Sequence, residues 1–162
     1  MGLDTYIYKS WEKEYNTFYD LKTKKRVSVP REGCEICHFK KNYVFLEWLE
    51  KRLGFEAEDC GYYVLYENDV SALLADCELA LDLIEDAKHQ FTDEVIEQIV
   101  KIFPQNKWNK TDFSHWDEEK NEPISVPHII GENDYEKIKE IFYSLTGVIQ
   151  EYVDKIIVYN SF

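Results

Sequence analysis

Leu3-Asp4-Thr5-Tyr6-Ile7-Tyr8-Lys9 alternates polar and apolar side chains around tyrosine and isoleucine. That is the pattern of a strand with both faces partly covered. At the other end, Ile156-Ile157-Val158-Tyr159-Asn160-Ser161-Phe162 has the same strand composition. Two such segments pair naturally in one sheet. What lies between them changes period from two to 3.6, which places helices on a face of that sheet.

Working inward, Tyr15–Tyr19 and Val27–Val29 read as weaker strands around a basic turn, and Gly61–Tyr66 (GYYVLY) as a short strand. Phe39, Tyr43, Leu46, Leu49 and Leu53 recur at helical spacing, Glu47 and Lys51 form a favourable i,i+4 pair, and Gly54 stands where a helix ends. A longer helix is expected after Asn68, with Val70, Leu73, Leu74, Cys77, Leu81 and Ile84 as its apolar stripe. Thr92 caps a third helix that Pro104 ends, and Asn133 with Glu136 opens a fourth that keeps its period through Val153. Residues 105–131 show little periodicity. The expectation is an α+β fold in a single domain over residues 1–162, with a small antiparallel or mixed sheet containing the N- and C-terminal strands. Three to four helices pack on it.

The 162 residues are 44% apolar and 31% charged, enough for one core. No run approaches the roughly 18 apolar residues of a membrane span, and no signal pattern opens the chain. A cytoplasmic protein with no membrane partner is therefore expected. The formal net charge of −13 argues against direct binding of nucleic acid, which requires a lysine and arginine surplus.

That charge is segregated. Residues 1–53 hold 11 Lys/Arg against 8 Asp/Glu, whereas residues 54–100 hold 13 acids and a single lysine, Lys88. The basic side chains concentrate at Lys22, Lys24, Lys25, Arg26 and Arg31. Opposite the apolar stripe of the long helix stand Glu78, Asp82, Glu85 and Asp86. Like charges at i,i+4 cost a helix ~0.2–0.5 kcal/mol per pair, so this face is not arranged for helix stability. Either the basic loop lies over these carboxylates, or they face outward to meet something positive.

Cys34, Cys37 and His38 form C-x-x-C-H, a fragment of a zinc site whose fourth ligand would come from Cys60, Cys77, His89, His115 or His128. A helix beginning near Cys37 would lower its thiol pKa and suit redox chemistry. The competing reading is reduced cysteines that merely pack. His115-Trp116-Asp117 offers a histidine with an acid beside it, but no hydrolase, phosphate-loop, zinc-protease or EF-hand motif is present. Among 12 Tyr, 9 Phe and 4 Trp, Trp108, Phe113 and Trp116 lie among polar residues and suit an interface.

The opening Met1-Gly2-Leu3-Asp4-Thr5-Tyr6-Ile7 resembles the MGLDMYL start of a group of small uncharacterised phage and prophage proteins. Phe39-Lys40-Lys41 with Trp48-Leu49 occupies places of that group's YWRKAN-x-IH-x-WF segment. Gly131 to Tyr135 is similar to its G-x-x-YD stretch, and Val158-Tyr159-Asn160-Ser161-Phe162 to its YQSSW ending. Tyr43 and Leu46 stand where the group has Asn and His, so no catalytic residue carries over. The resemblance implies a phage-related origin and a cytosolic setting.

Two functional expectations follow. The first is a non-enzymatic binding module, a nucleic-acid mimic or inhibitor that docks on a host protein with a basic surface. Glu78, Asp82, Glu85 and Asp86 would carry it together with Trp108 and Trp116, without catalytic residue or cofactor. The alternative is a zinc-binding or metal-dependent protein centred on Cys34, Cys37 and His38. A homodimer through the tyrosine-rich strands is a third arrangement.

Overall fold

A computed structural model describes residues 3–9, 16–20, 22–29, 35–105, 109–148 and 155–162. The chain runs β1 (Asp4–Lys9), β2 (Asn16–Asp20), β3 (Lys25–Val29), β4 (Glu35–Lys40), α1 (Tyr43–Leu53), β5 (Gly61–Tyr66) and α2 (Glu67–Asp86). It continues through α3 (Asp93–Ile102), β6 (Asn109–Asp117), β7 (Glu122–Pro127), α4 (Glu132–Leu145) and β8 (Lys155–Ser161). The fold is α+β. β1 and β8 are the adjacent central strands of an antiparallel sheet of order β4-β1-β8-β5, and β2–β3 and β6–β7 form separate two-stranded sheets.

Register sorts the side chains. Thr5 and Ile7 of β1 lie opposite Asn160 and Val158 of β8 and face the helices. There Ile7, Phe39, Leu65 and Val158 meet Phe45 and Leu49 of α1, Leu73 and Ile84 of α2, and Ile138 and Ile141 of α4 in one buried cluster. Each such side chain contributes ~1.5–3 kcal/mol by leaving water. In that layer Thr5 Oγ1 donates to Asn160 Oδ1 at 2.8 Å, while Asn160 Nδ2 is buried without a hydrogen-bond partner among the described residues. Asn42 fixes the start of α1 by accepting from Phe45 N at 3.1 Å, and Gly54 ends it in the left-handed region at φ 83°.

Four boundaries depart from the sequence expectation. Phe39 is a strand residue, because the chain turns at Lys41 (φ 50°) before Asn42 caps the helix. The long helix starts directly off β5 at Glu67, so Asn68 is not its cap; Asp69 Oδ2 accepts from Tyr66 N at 3.0 Å. Likewise Asp134 Oδ2 accepts from Gly131 N at 2.9 Å and opens α4 before Asn133. α4 stops at Leu145, with Gly147 at φ 85° just beyond; Ile149, Tyr152 and Val153, which the expected period included, lie outside the described residues. The aperiodic stretch holds the β6–β7 hairpin, whose alternation is hidden by an irregularity between Asp112 and Trp116. No helix among the described residues is long and apolar enough to cross a membrane.

Candidate functional site

α2 buries Val70, Leu73, Cys77, Ala80, Leu81 and Ile84 and exposes Glu78, Asp82, Glu85 and Asp86. At about 100° per residue those four carboxylates fall within an arc of roughly 100°. From Glu78 to Asp86 the helix rises about 12 Å. The face therefore carries about one negative charge per 4 Å, close to the ~3.4 Å per charge along a DNA strand. Leu79, 52% exposed, borders it. Glu78, Asp82 and Asp86 have no ion-pair partner among the described residues. Glu85 is partly engaged: the Tyr135 hydroxyl donates to its Oε1 at 2.7 Å. That bond to a carboxylate, then burial, pushes the phenol up to about 12.

The basic loop reaches α2, but at its other end and on its inner side. Lys22 Nζ and Arg52 Nε both donate to Asp69 Oδ1, the latter at 2.7 Å, and the Asp69 side chain is fully buried. Burial pushes that carboxyl up. The hydrogen bonds from Lys22, Arg52 and Tyr66 N, with the Lys22 charge, outweigh it and hold the group below the usual carboxylate range. Asp20 organises the loop by accepting from Lys22 N and Thr23 Oγ1, and Tyr66 Oη donates to Asp20 Oδ2 at 3.3 Å. Lys24, Lys25 and Arg26 remain exposed. None of the loop's described residues pairs with Glu78, Asp82 or Asp86, and Arg31 lies outside the described residues.

Cys37 and His38 are neighbours in a strand, which directs them to opposite sides of the sheet. Cys37 lies opposite Ile7 on the helix side. Its thiol, in a strand rather than at a helix start, is pushed up to about 12 by burial and then by Glu140 and Glu35. That is the reverse of the redox expectation. His38 lies opposite Tyr6 on the other side, stacks on its ring at 4.2 Å and bonds Asp4 Oδ1 through Nε2 at 2.9 Å. The strand does not bring these two candidate metal ligands together, and Cys34 lies outside the described residues. Among the described residues no three His, Cys, Asp or Glu side chains group to hold a metal ion.

The His38 side of the sheet carries a row that the sequence reading missed. His38, Tyr6, Tyr159 and Tyr62 stand directly opposite one another across all four strands. Their centroids are 4.2, 6.0 and 4.7 Å apart in that order. Tyr6 and His38 are nearly parallel at 8°, so their facing surfaces are covered by each other. His89, expected only as a candidate zinc ligand, instead has its Nδ1 2.8 Å from Glu132 Oε2 and its ring edge-on to Tyr135 at 4.6 Å. These contacts join α4 to the end of α2 across a separation of 43 residues, and no local pattern announces them.

Of the two tryptophans expected to bind, Trp108 lies outside the described residues, and Trp116 is 53% exposed near the tip of the β6–β7 hairpin. Asp117 is occupied structurally, its Oδ1 accepting from Glu119 N and Lys120 N. His128 bonds Asp134, the residue that opens α4. Compared with protein-family models, curated proteins and solved structures, the chain matches none.

Proposed function

We propose that this chain is a non-enzymatic, phage-related binding protein whose acidic α2 face occupies a lysine- and arginine-lined surface of a host protein. The carboxylates would take the place of nucleic-acid phosphates there and inhibit the partner. One observation carries the reading: Glu78, Asp82 and Asp86 are exposed on one helical face and unpaired among the described residues, while Lys22 of the chain's own basic loop is tied to Asp69 instead. Stability does not account for that placement. Asp82 stands four residues from both Glu78 and Asp86, and the last turn of α2 contains no basic residue to offset its dipole.

The test is the triple variant Glu78→Lys, Asp82→Lys, Asp86→Lys, which spares Glu85 and its bond to Tyr135. Wild-type protein should capture a basic partner from host extract and displace it from DNA. The variant should do neither while keeping its circular dichroism spectrum, and high salt should release the captured partner. Capture that survives both the reversal and high salt defeats the electrostatic reading.

A further inference from the structure

The β6–β7 hairpin forms a two-stranded sheet of its own. Its strands pair from Asn109↔Pro127 to Asp117↔Glu122, and neither joins the four-stranded sheet. A two-stranded hairpin is marginal by itself in water and needs a further layer to cover it. Yet the tip is well set. Asp117 Oδ1 accepts from Glu119 N at 3.1 Å and Lys120 N at 3.3 Å, and Asn121 completes the turn at φ 54°.

Beside that turn Trp116 lies opposite Pro123 and is 53% exposed. The turn that follows Trp116 in the chain carries Asp117, Glu118, Glu119 and Glu122 with one cation, Lys120, and all but the half-buried Asp117 are exposed. Tryptophan is the side chain most often found to dominate binding when it fills a partner's pocket. The carboxylates of the turn select what that pocket belongs to. They repel phosphates and anionic lipid headgroups and favour a basic protein surface.

We infer that the hairpin is a docking arm: Trp116 enters an apolar slot on a protein partner while Glu118, Glu119 and Glu122 meet a basic rim around it. This rests on the basic-partner reading of α2 and adds a second, apolar contact to it. Trp116 supplies hold, and α2 supplies long-range attraction.

Two defined probes separate the contacts. One is a lysine-only peptide, the other an amphipathic lysine/leucine peptide of equal charge; a glutamate/leucine peptide and phosphatidylserine-containing vesicles serve as controls. Wild-type protein should bind the lysine/leucine peptide at least about tenfold more tightly than the lysine-only peptide. Trp116→Ala should erase that preference. The triple variant Glu118→Lys, Glu119→Lys, Glu122→Lys leaves the Asp117 turn intact and should weaken lysine/leucine binding in the same direction. It keeps the test decisive even where Trp116→Ala unfolds the hairpin. Absence of the preference overturns the inference, as does its persistence in Trp116→Ala, or equal binding to the glutamate/leucine peptide or the vesicles. Failure of the α2 reading looks different: the lysine-only peptide is then bound equally well by wild type and by the α2 reversal variant.

Discussion

The two ends of α2 treat a carboxylate in opposite ways. Near its start Asp69 is buried and takes hydrogen bonds from Lys22, Arg52 and the Tyr66 backbone, with its acidity increased accordingly. Toward its end Glu78, Asp82 and Asp86 are exposed and repel one another, next to the negative end of the helix dipole. The same residue type on the same helix is in one place an internal fastener and in the other an unsatisfied charge. Composition counts both as acid, and only the surroundings divide them. Asp69 belongs to the fold, tying the β2–β3 hairpin and α1 to α2, whereas the outward three do nothing for the fold that a lysine would not do better.

Breaking the buried end should have the largest effect. Asp69→Asn keeps the shape but leaves Lys22 and Arg52 without their counter-charge. Removing one partner of a buried ion pair costs about 3–5 kcal/mol. Lys22 and Arg52 are themselves 27% and 37% exposed and regain some water, so about 3 kcal/mol is expected, read as a lowered urea midpoint with unchanged slope. A loss below about 0.5 kcal/mol, the range of an ordinary surface substitution, would erase the contrast between the two ends.

Acid should remove the same contribution without a mutation. The Asp69 carboxyl is more acidic folded than unfolded, so its stabilisation is fully present above the unfolded value, about pH 4. It is lost as pH falls through the lower folded value. The stability gap between wild type and Asp69→Asn should therefore stay constant at neutral pH and close below about pH 4. A gap that instead widened on acidification would mean that the carboxyl is less acidic in the fold.

How much of this was legible in the sequence depends on the distance over which each feature is determined. Thr92 at a helix start, Gly54 at a helix end and the paired strands at Leu3–Lys9 and Ile156–Phe162 declare themselves within a few residues, and the structure has them there. The outward acidic stripe was equally legible, since it follows from the 3.6-residue period alone. Whether that stripe was neutralised was not, because Lys22 and Asp69 meet across 47 residues. Phe39 misled because four residues separate it from Tyr43, which a helix and a strand-turn-helix satisfy alike. Cys37 and His38 misled for a similar reason: ligand spacing in sequence ignores the strand pleat that sends them to opposite faces. The β6–β7 hairpin stayed hidden because its irregularity breaks the alternation by which strands are recognised.

The smallest effect tests the exposed end, and its sign matters more than its size. Asp82→Lys replaces two repulsive i,i+4 neighbours by two attractive ones, with Glu78 before the lysine and Asp86 after it. Each pair is worth ~0.2–0.5 kcal/mol, and lysine is also the better helix former. The variant should therefore be more stable than wild type by about 1 kcal/mol at low ionic strength, shrinking with salt. The same substitution should weaken binding of a lysine-only peptide. Stability and binding moving in opposite directions is the signature of charges kept for use rather than for folding. A destabilised Asp82→Lys would instead mean that this carboxylate, like Asp69, serves the fold, and the two ends of the helix would no longer differ.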